Sequence, residues 1–100
     1  MNKKPDKEAE AVFYDAVLSL QTREECEAFF EDVCTVNELL SISQRFEVAK
    51  MLTQKCTYLE IAEKTGASTA TISRVNRSLM YGKDGYGMIL ERLAMDEDQT

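Results

Sequence analysis

One proline, Pro5, and four glycines, three of them between Gly82 and Gly87, leave roughly the first eighty residues of this chain almost free of backbone breakers. In a helix interior glycine costs about 1 kcal/mol and proline about 3 kcal/mol relative to alanine, so a chain that avoids both is free to be helical throughout. The apolar residues follow a helical period. From Asp6 to about Leu20 they are Val12, Phe13, Ala16, Val17 and Leu20. Thr22 with Glu25 forms a capping box, and the helix it opens runs to about Cys34 with Cys26, Phe29, Phe30 and Val33 inward. Thr35 with Glu38 repeats the box for a short helix carrying Val36, Leu39 and Leu40. Ser41 or Ser43 opens the next, "QRFEVAKMLTQK", with Phe46, Val48, Ala49, Met51 and Leu52 apolar. Thr57 with Glu60 is a third box, for a helix that Gly66 stops. Ser68 caps a helix to about Tyr81. A glycine-rich loop, "YGKDGYG", leads to a last helix with Met88, Ile89, Leu90, Leu93 and Met95, and the tail "DEDQT" is expected to be loose. The pattern predicts an all-α fold of about six helices in a single domain over residues 1–100, without repeat or linker.

Composition narrows the function. No apolar run reaches the roughly 20 residues of a membrane span, and the charged start "MNKKPDKEAE" has no hydrophobic stretch behind it, so no membrane or secretory role is expected. The three cysteines, Cys26, Cys34 and Cys56, lack CxxC spacing, and the chain has no histidine. That set points to free buried thiols in a reducing cytoplasm rather than to zinc, and no metal or cofactor is expected. Without histidine the commonest general base is missing. The carboxylate pairs Glu24-Glu25 and Glu31-Asp32 belong to an acidic solvated face, so no enzyme is indicated. Yet 44% of the residues are hydrophobic in a chain of 100. A domain this small buries a modest fraction of its surface, and the excess suggests that a second copy covers part of it.

The informative unit lies around Gly66. Ala62, Gly66 and Ile72 have the spacing of a helix-turn-helix, over about residues 57–81. Ala62 is small where the second helix crosses, Gly66 gives the turn its left-handed freedom, and Ile72 fills the core with Ile61, Ala67 and Val75. Ser68, Thr69, Ala70, Thr71, Ser73, Arg74 and Arg77 then face outward. Short hydroxyls and methyls allow a helix to approach base edges closely, and arginine reads guanine or holds phosphate, so the unit points to double-stranded DNA as partner. A helical hairpin with a plain polar face is the alternative. The formal charge of −6 does not oppose DNA binding, because it is unevenly spread. Between Gln44 and Lys83 seven basic residues face three acidic ones, a net +4, while Met1–Ser43 carries −6 and Asp84–Thr100 carries −4. The positive charge thus travels with the motif.

"EIAEKTGASTATISRVNRSL" resembles the reading head of the bacterial Trp repressor. "ELLSISQRFEVAKML" and "STATISRVNRSLMYGKDGYG" resemble the smaller Trp-repressor-related proteins of the YerC/YecD type over nearly the whole chain. The resemblance implies an intertwined homodimer whose two reading heads enter successive major grooves. That would also explain the adjacent pairs Phe29-Phe30 and Leu39-Leu40, which one narrow helix stripe could not bury. It carries the DNA-contacting helix start onto Thr69, Ala70, Thr71 and Ser73. It also carries an effector pocket onto Arg74, Ser78 and a central-helix position that is Gln44, or Arg45 if the register slips by one. The repressor has glycine after the first of these arginines where this chain has Val75, so tryptophan is not expected as corepressor, and Arg74 is also open to a plain DNA-contacting role. The function expected is a bacterial DNA-binding transcriptional regulator acting as a repressor. The alternative is a helix-turn-helix protein-interaction module that works through its acidic N-terminal helices and does not bind DNA.

Overall fold

The computed structural model describes residues 6–98. They form six helices and no strand: α1 Lys7–Leu18, α2 Arg23–Val33, α3 Val36–Thr53, α4 Tyr58–Thr65, α5 Thr69–Tyr81 and α6 Gly85–Asp98. The chain divides into two compact units, residues 1–39 and 40–100, the division falling within α3.

Short polar residues start the helices, at Thr22, Thr35, Thr57 and Ser68 as the sequence predicts and at Asp6 as well. The Asp6 carboxylate accepts the Glu8 and Ala9 amides, and the Thr22 hydroxyl accepts the Glu25 amide. The Glu25 carboxylate reaches back one residue further than a capping box requires, to the Gln21 N–H at 2.9 Å. Thr35 with Glu38 and Thr57 with Glu60 make both reciprocal bonds. Each cap satisfies amide donors that a helix N-terminus otherwise leaves without partners.

The middle of the chain departs from the expected pattern. The short helix expected at Val36–Leu40 and the one expected from Ser41 or Ser43 are a single helix of 18 residues. A mid-helix serine costs only part of a kcal/mol, too little to break a segment that holds neither glycine nor proline. α3 ends at Thr53 through a left-handed lysine, Lys55, at φ 67°. The Lys55 N–H donates to the Leu52 carbonyl and the Cys56 N–H to the Met51 carbonyl, both at 3.1 Å, which is the pairing of a Schellman turn. The glycine-rich loop is also shorter than expected, since Gly85 and Gly87 lie inside the first turn of α6. Asp84 takes the left-handed conformation before it, at φ 64°. Its carboxylate fills the space where a side chain at 87 would begin, 2.5 Å from that position, so a larger residue there would have to displace the Asp84 side chain. The expected loose tail is helical through Asp98, and Gln99 and Thr100 lie outside the described residues.

In the first unit no residue of α1 or α2 is buried. Phe13, Phe29 and Phe30 form an aromatic cluster, with Phe13 stacked on Phe29 at 5.8 Å and Phe29 edge-on to Phe30 at 5.4 Å. Around it Val12, Leu18 and Val36 are 67%, 81% and 76% exposed. Cys26 and Val33, expected inward, are exposed, and Cys34 is half-buried. The thiols are therefore free but none is buried, Cys56 of the second unit being half-buried as well. In the second unit a small complete core forms from Val48, Ala49, Ile61, Ala67, Ile72 and Val75, edged by Met51, Leu52, Leu79, Tyr86 and Leu90.

Candidate nucleic-acid interface

The core of the second unit fixes how α4 and α5 meet. Ile61 of α4 and Ile72 of α5 are fully buried, and Val75 and Ala67 nearly so. Ala62, half-buried, packs against this core. Gly66 closes α4 at φ 75° and ψ 5°, with its N–H on the Ala62 carbonyl. Two residues carry the chain across the turn before α5 begins. The Thr65 hydroxyl donates to the Ile61 carbonyl at 2.7 Å and accepts the Ala67 N–H at 3.1 Å. Gln44 of α3 donates from Nε2 to the Thr65 carbonyl at 3.2 Å. The turn is thus held by one glycine conformation, one hydroxyl and one side-chain amide.

Electrostatics reinforce the start of α4. The Thr57 backbone N–H, and after it the Thr57 side chain, hold the Glu60 carboxyl below the usual glutamate range, burial opposing them weakly. An anionic carboxylate also suits the positive end of a helix dipole.

With Ile72 and Val75 turned inward, the other side of α5 is left to solvent. Ser68, Thr69, Ala70, Ser73, Arg74 and Arg77 are exposed, and Thr71 is half-buried. Ser68 is the N-cap, accepting the Thr71 N–H at 3.1 Å. Ala70, Ser73, Arg74 and Arg77 line one recess of about 480 Å³ together with Tyr58, Asn76, Met80 and Tyr81. Those last four were not singled out in the sequence. Tyr58 opens α4 and Tyr81 ends α5, so the signal was a helix pair bordered by an aromatic at each end. Asn76 Nδ2 donates to the Met80 sulfur at 3.6 Å.

The residues assigned by resemblance to an effector pocket are distributed differently. Arg74 and Ser78 line one shallow recess with Arg77, Tyr81 and Gly82. Ser78 also borders an apolar groove of about 530 Å³ with Phe46, Lys83, Tyr86 and Ile89, in which Phe46 and Tyr86 lie 6.3 Å apart. Arg45, half-buried on α3, lines neither of these. No cluster of metal-ligating side chains occurs among the described residues, and none of their helices is long and apolar enough to cross a membrane.

An 8-residue helix, a left-handed glycine and a 13-residue helix wrapped on a shared aliphatic core are a helix-turn-helix. A Trp repressor protein family model matches residues 8–94, and the chain belongs to that family, whose members are helix-turn-helix DNA-binding regulators and not enzymes. The uncharacterized protein YerC of Bacillus subtilis (strain 168) is 52% identical over 87 residues, which are 87% of this chain and 84% of that protein. A TrpR-like protein from Eubacterium eligens ATCC 27750 superposes with a TM-score of 0.86 at 66% identity, covering 88% of this chain and 91% of its own. A structure described as a candidate Trp repressor from Staphylococcus aureus has a TM-score of 0.84 at 57% identity and covers 86% of both chains.

Proposed function

We propose that this chain is a cytoplasmic, sequence-specific repressor of transcription that acts as a homodimer and reads the major groove with α5. The observation that carries the reading is the division of α5 into two faces. Ile72 and Val75 lock it into a rigid core, while Ser68, Thr69, Ala70, Thr71, Ser73, Arg74 and Arg77 form a small-residue face backed by two guanidiniums. Phosphates would be held by the net +4 of residues 44–83, and bases read by the helix start. The acidic flanks would keep nonspecific affinity low.

The exposed apolar face of α1 and α2 supports a dimer. Val12, Leu18 and Val36 stay largely exposed within one chain, and a second copy is the occupant that the family fold implies. In that assembly residues 1–100 would act as one Trp-repressor-like domain, and two copies of α5 would address two half-sites.

Selection of bound sequences from random duplexes, run at a stated salt concentration, tests the function. A recovered pseudo-palindrome, with binding that weakens as salt rises, is the expected result. Absence of any salt-dependent binding would instead favour a protein-interaction module working through α1 and α2.

A further inference from the structure

Gln44 reaches the turn of the helix-turn-helix from α3, outside the motif. We propose that Gln44 is a positioning residue for DNA reading: its hydrogen bond to Thr65 fixes the angle of α5 against α3, and with it the half-site spacing that the dimer accepts. This rests on the proposed DNA-binding dimer and adds to it a residue that lies outside the reading head.

The acceptor is the first observation. The Thr65 carbonyl belongs to the last turn of α4, where carbonyls lack a partner within the helix. Gln44 Nε2 supplies that partner at 3.2 Å, and both residues are half-buried. Gly66 then turns the chain at φ 75°, and α5 begins at Thr69. The direction in which α5 departs thus depends on where Thr65 is held.

The second observation is the kind of contact around this bond. Val48 and Ala49 of α3 share one buried aliphatic cluster with Ile61, Ile72 and Val75. Apolar burial has no preferred direction, so it holds α3 and the reading head together without fixing the angle between them. A hydrogen bond does restrict direction, because it weakens steeply as donor and acceptor fall out of line.

The third observation is the place of Gln44 on α3. Leu40 lies one turn earlier in the same unbroken helix, on the same side, and is 62% exposed. In the proposed dimer a second copy covers Leu40. Gln44 therefore stands between the dimer face and the reading head. A dimer reads two half-sites whose separation mirrors its own geometry, and a turn free to shift at Thr65 would blur that separation.

The test measures the affinity of the full-length protein for the selected duplex and for the same duplex with one base pair added between the half-sites. The insertion lengthens the spacing by about 3.4 Å. The native protein should prefer the selected spacing by about tenfold or more, as for the loss of a base contact. In Gln44→Glu, of the same shape but without a donor at neutral pH, that preference should fall by roughly threefold to tenfold, the range of one net hydrogen bond. Gln44→Met should behave likewise. Gln44→Lys keeps a donor of similar reach and should retain the native preference. Each ratio compares two duplexes on one protein, so losses of stability and the added charge of lysine cancel. An unchanged preference in both Gln44→Glu and Gln44→Met would overturn the proposal and leave DNA reading intact. So would a native protein indifferent to spacing, or a loss in Gln44→Lys equal to that in Gln44→Met. Recovery of no preferred duplex at all would overturn the DNA reading, and this inference with it.

Discussion

Gln44 Nε2 donates a hydrogen bond to the Thr65 carbonyl at 3.2 Å, tying the middle of α3 to the last turn of α4. By resemblance the second ligand arginine falls on Gln44, or on Arg45 if the register slips by one, and the Gln44 amide is spent on holding the turn in place. An indole ring sandwiched between two guanidiniums needs a flat cation at that point, and an amide supplies none. Val75, which replaces the repressor's glycine, is 1% exposed and belongs to the core instead of lining a slot. Free tryptophan should therefore not bind the apo protein in the micromolar range, nor raise its DNA affinity. Calorimetric titration measures the first and a binding shift with and without tryptophan the second. A shift that appears only with tryptophan would assign Arg74 and Arg45 to a ligand.

Reading by α5 is checked with two side chains of different type. Arg77 is exposed, and Thr71 is half-buried at the helix start. Thr71→Ala and Arg77→Ala should each weaken specific DNA binding by about 1–3 kcal/mol for every base the side chain reads, with the helical spectrum unchanged. Equal operator affinity for both variants and the native protein would remove α5 from the interface.

These assignments show where the sequence was legible. Local, directional chemistry could be read from it: Thr57 with Glu60, the Ser68 cap, Gly66 at positive φ, and the inward set Ile61, Ile72 and Val75 all lie as expected. Boundaries decided by small free-energy differences could not. Ser41 and Ser43 looked like a helix start because serine caps well, but nothing before them stops α3. The left-handed residues at Lys55 and Asp84 gave no signal, because they are not glycine. Tyr58 was missed as a recess wall because its role depends on α4 and α5 crossing, a long-range fact. The inward positions expected on α2 failed for a related reason. A helical period marks which residues share a face, but not whether one chain can cover that face, and Cys26 and Val33 remain exposed.

Two of the three left-handed residues of the second unit, Gly66 and Lys55, should respond to mutation with opposite signs. Gly66 sits at φ 75° with open space around a would-be side chain, so Gly66→Ala adds only backbone strain, about 1–2 kcal/mol. Lys55 bears that kind of strain already at φ 67°, and Lys55→Gly should relieve part of it, stabilising the fold by up to about 1 kcal/mol. Paired chemical denaturation of the variants reads both. A destabilised Lys55→Gly would show that its side chain holds the turn through interactions worth more than the strain.

Assembly should be inseparable from stability. No side chain of α1 or α2 is buried within one chain, and Leu40 is 62% exposed. If a second copy covers these residues together with Phe29, Phe30 and Leu39, the unfolding midpoint must rise with protein concentration. Sedimentation should give a dimer, and Phe29→Ala or Leu40→Ala should shift the mass towards monomer. A folded monomer at micromolar concentration would contradict this.

Acid should loosen the reading head through Glu60. Its carboxyl lies below the usual range because the Thr57 N–H donates to the ionised form at 2.7 Å. The sign follows from linkage. A carboxylate with a lower folded than unfolded pKa stabilises the native state above the unfolded value, which is about 4.3. That contribution is lost as pH falls through the lower folded value. Glu60→Gln keeps an acceptor oxygen but has no charge to titrate. The stability difference between native protein and variant should be constant near neutral pH and shrink towards zero as the solution is acidified past the ordinary glutamate range. Contributions common to both proteins cancel in the difference. Denaturation curves across that pH range make the measurement, and a difference that does not change with pH would show that the Thr57–Glu60 box acts through its geometry alone.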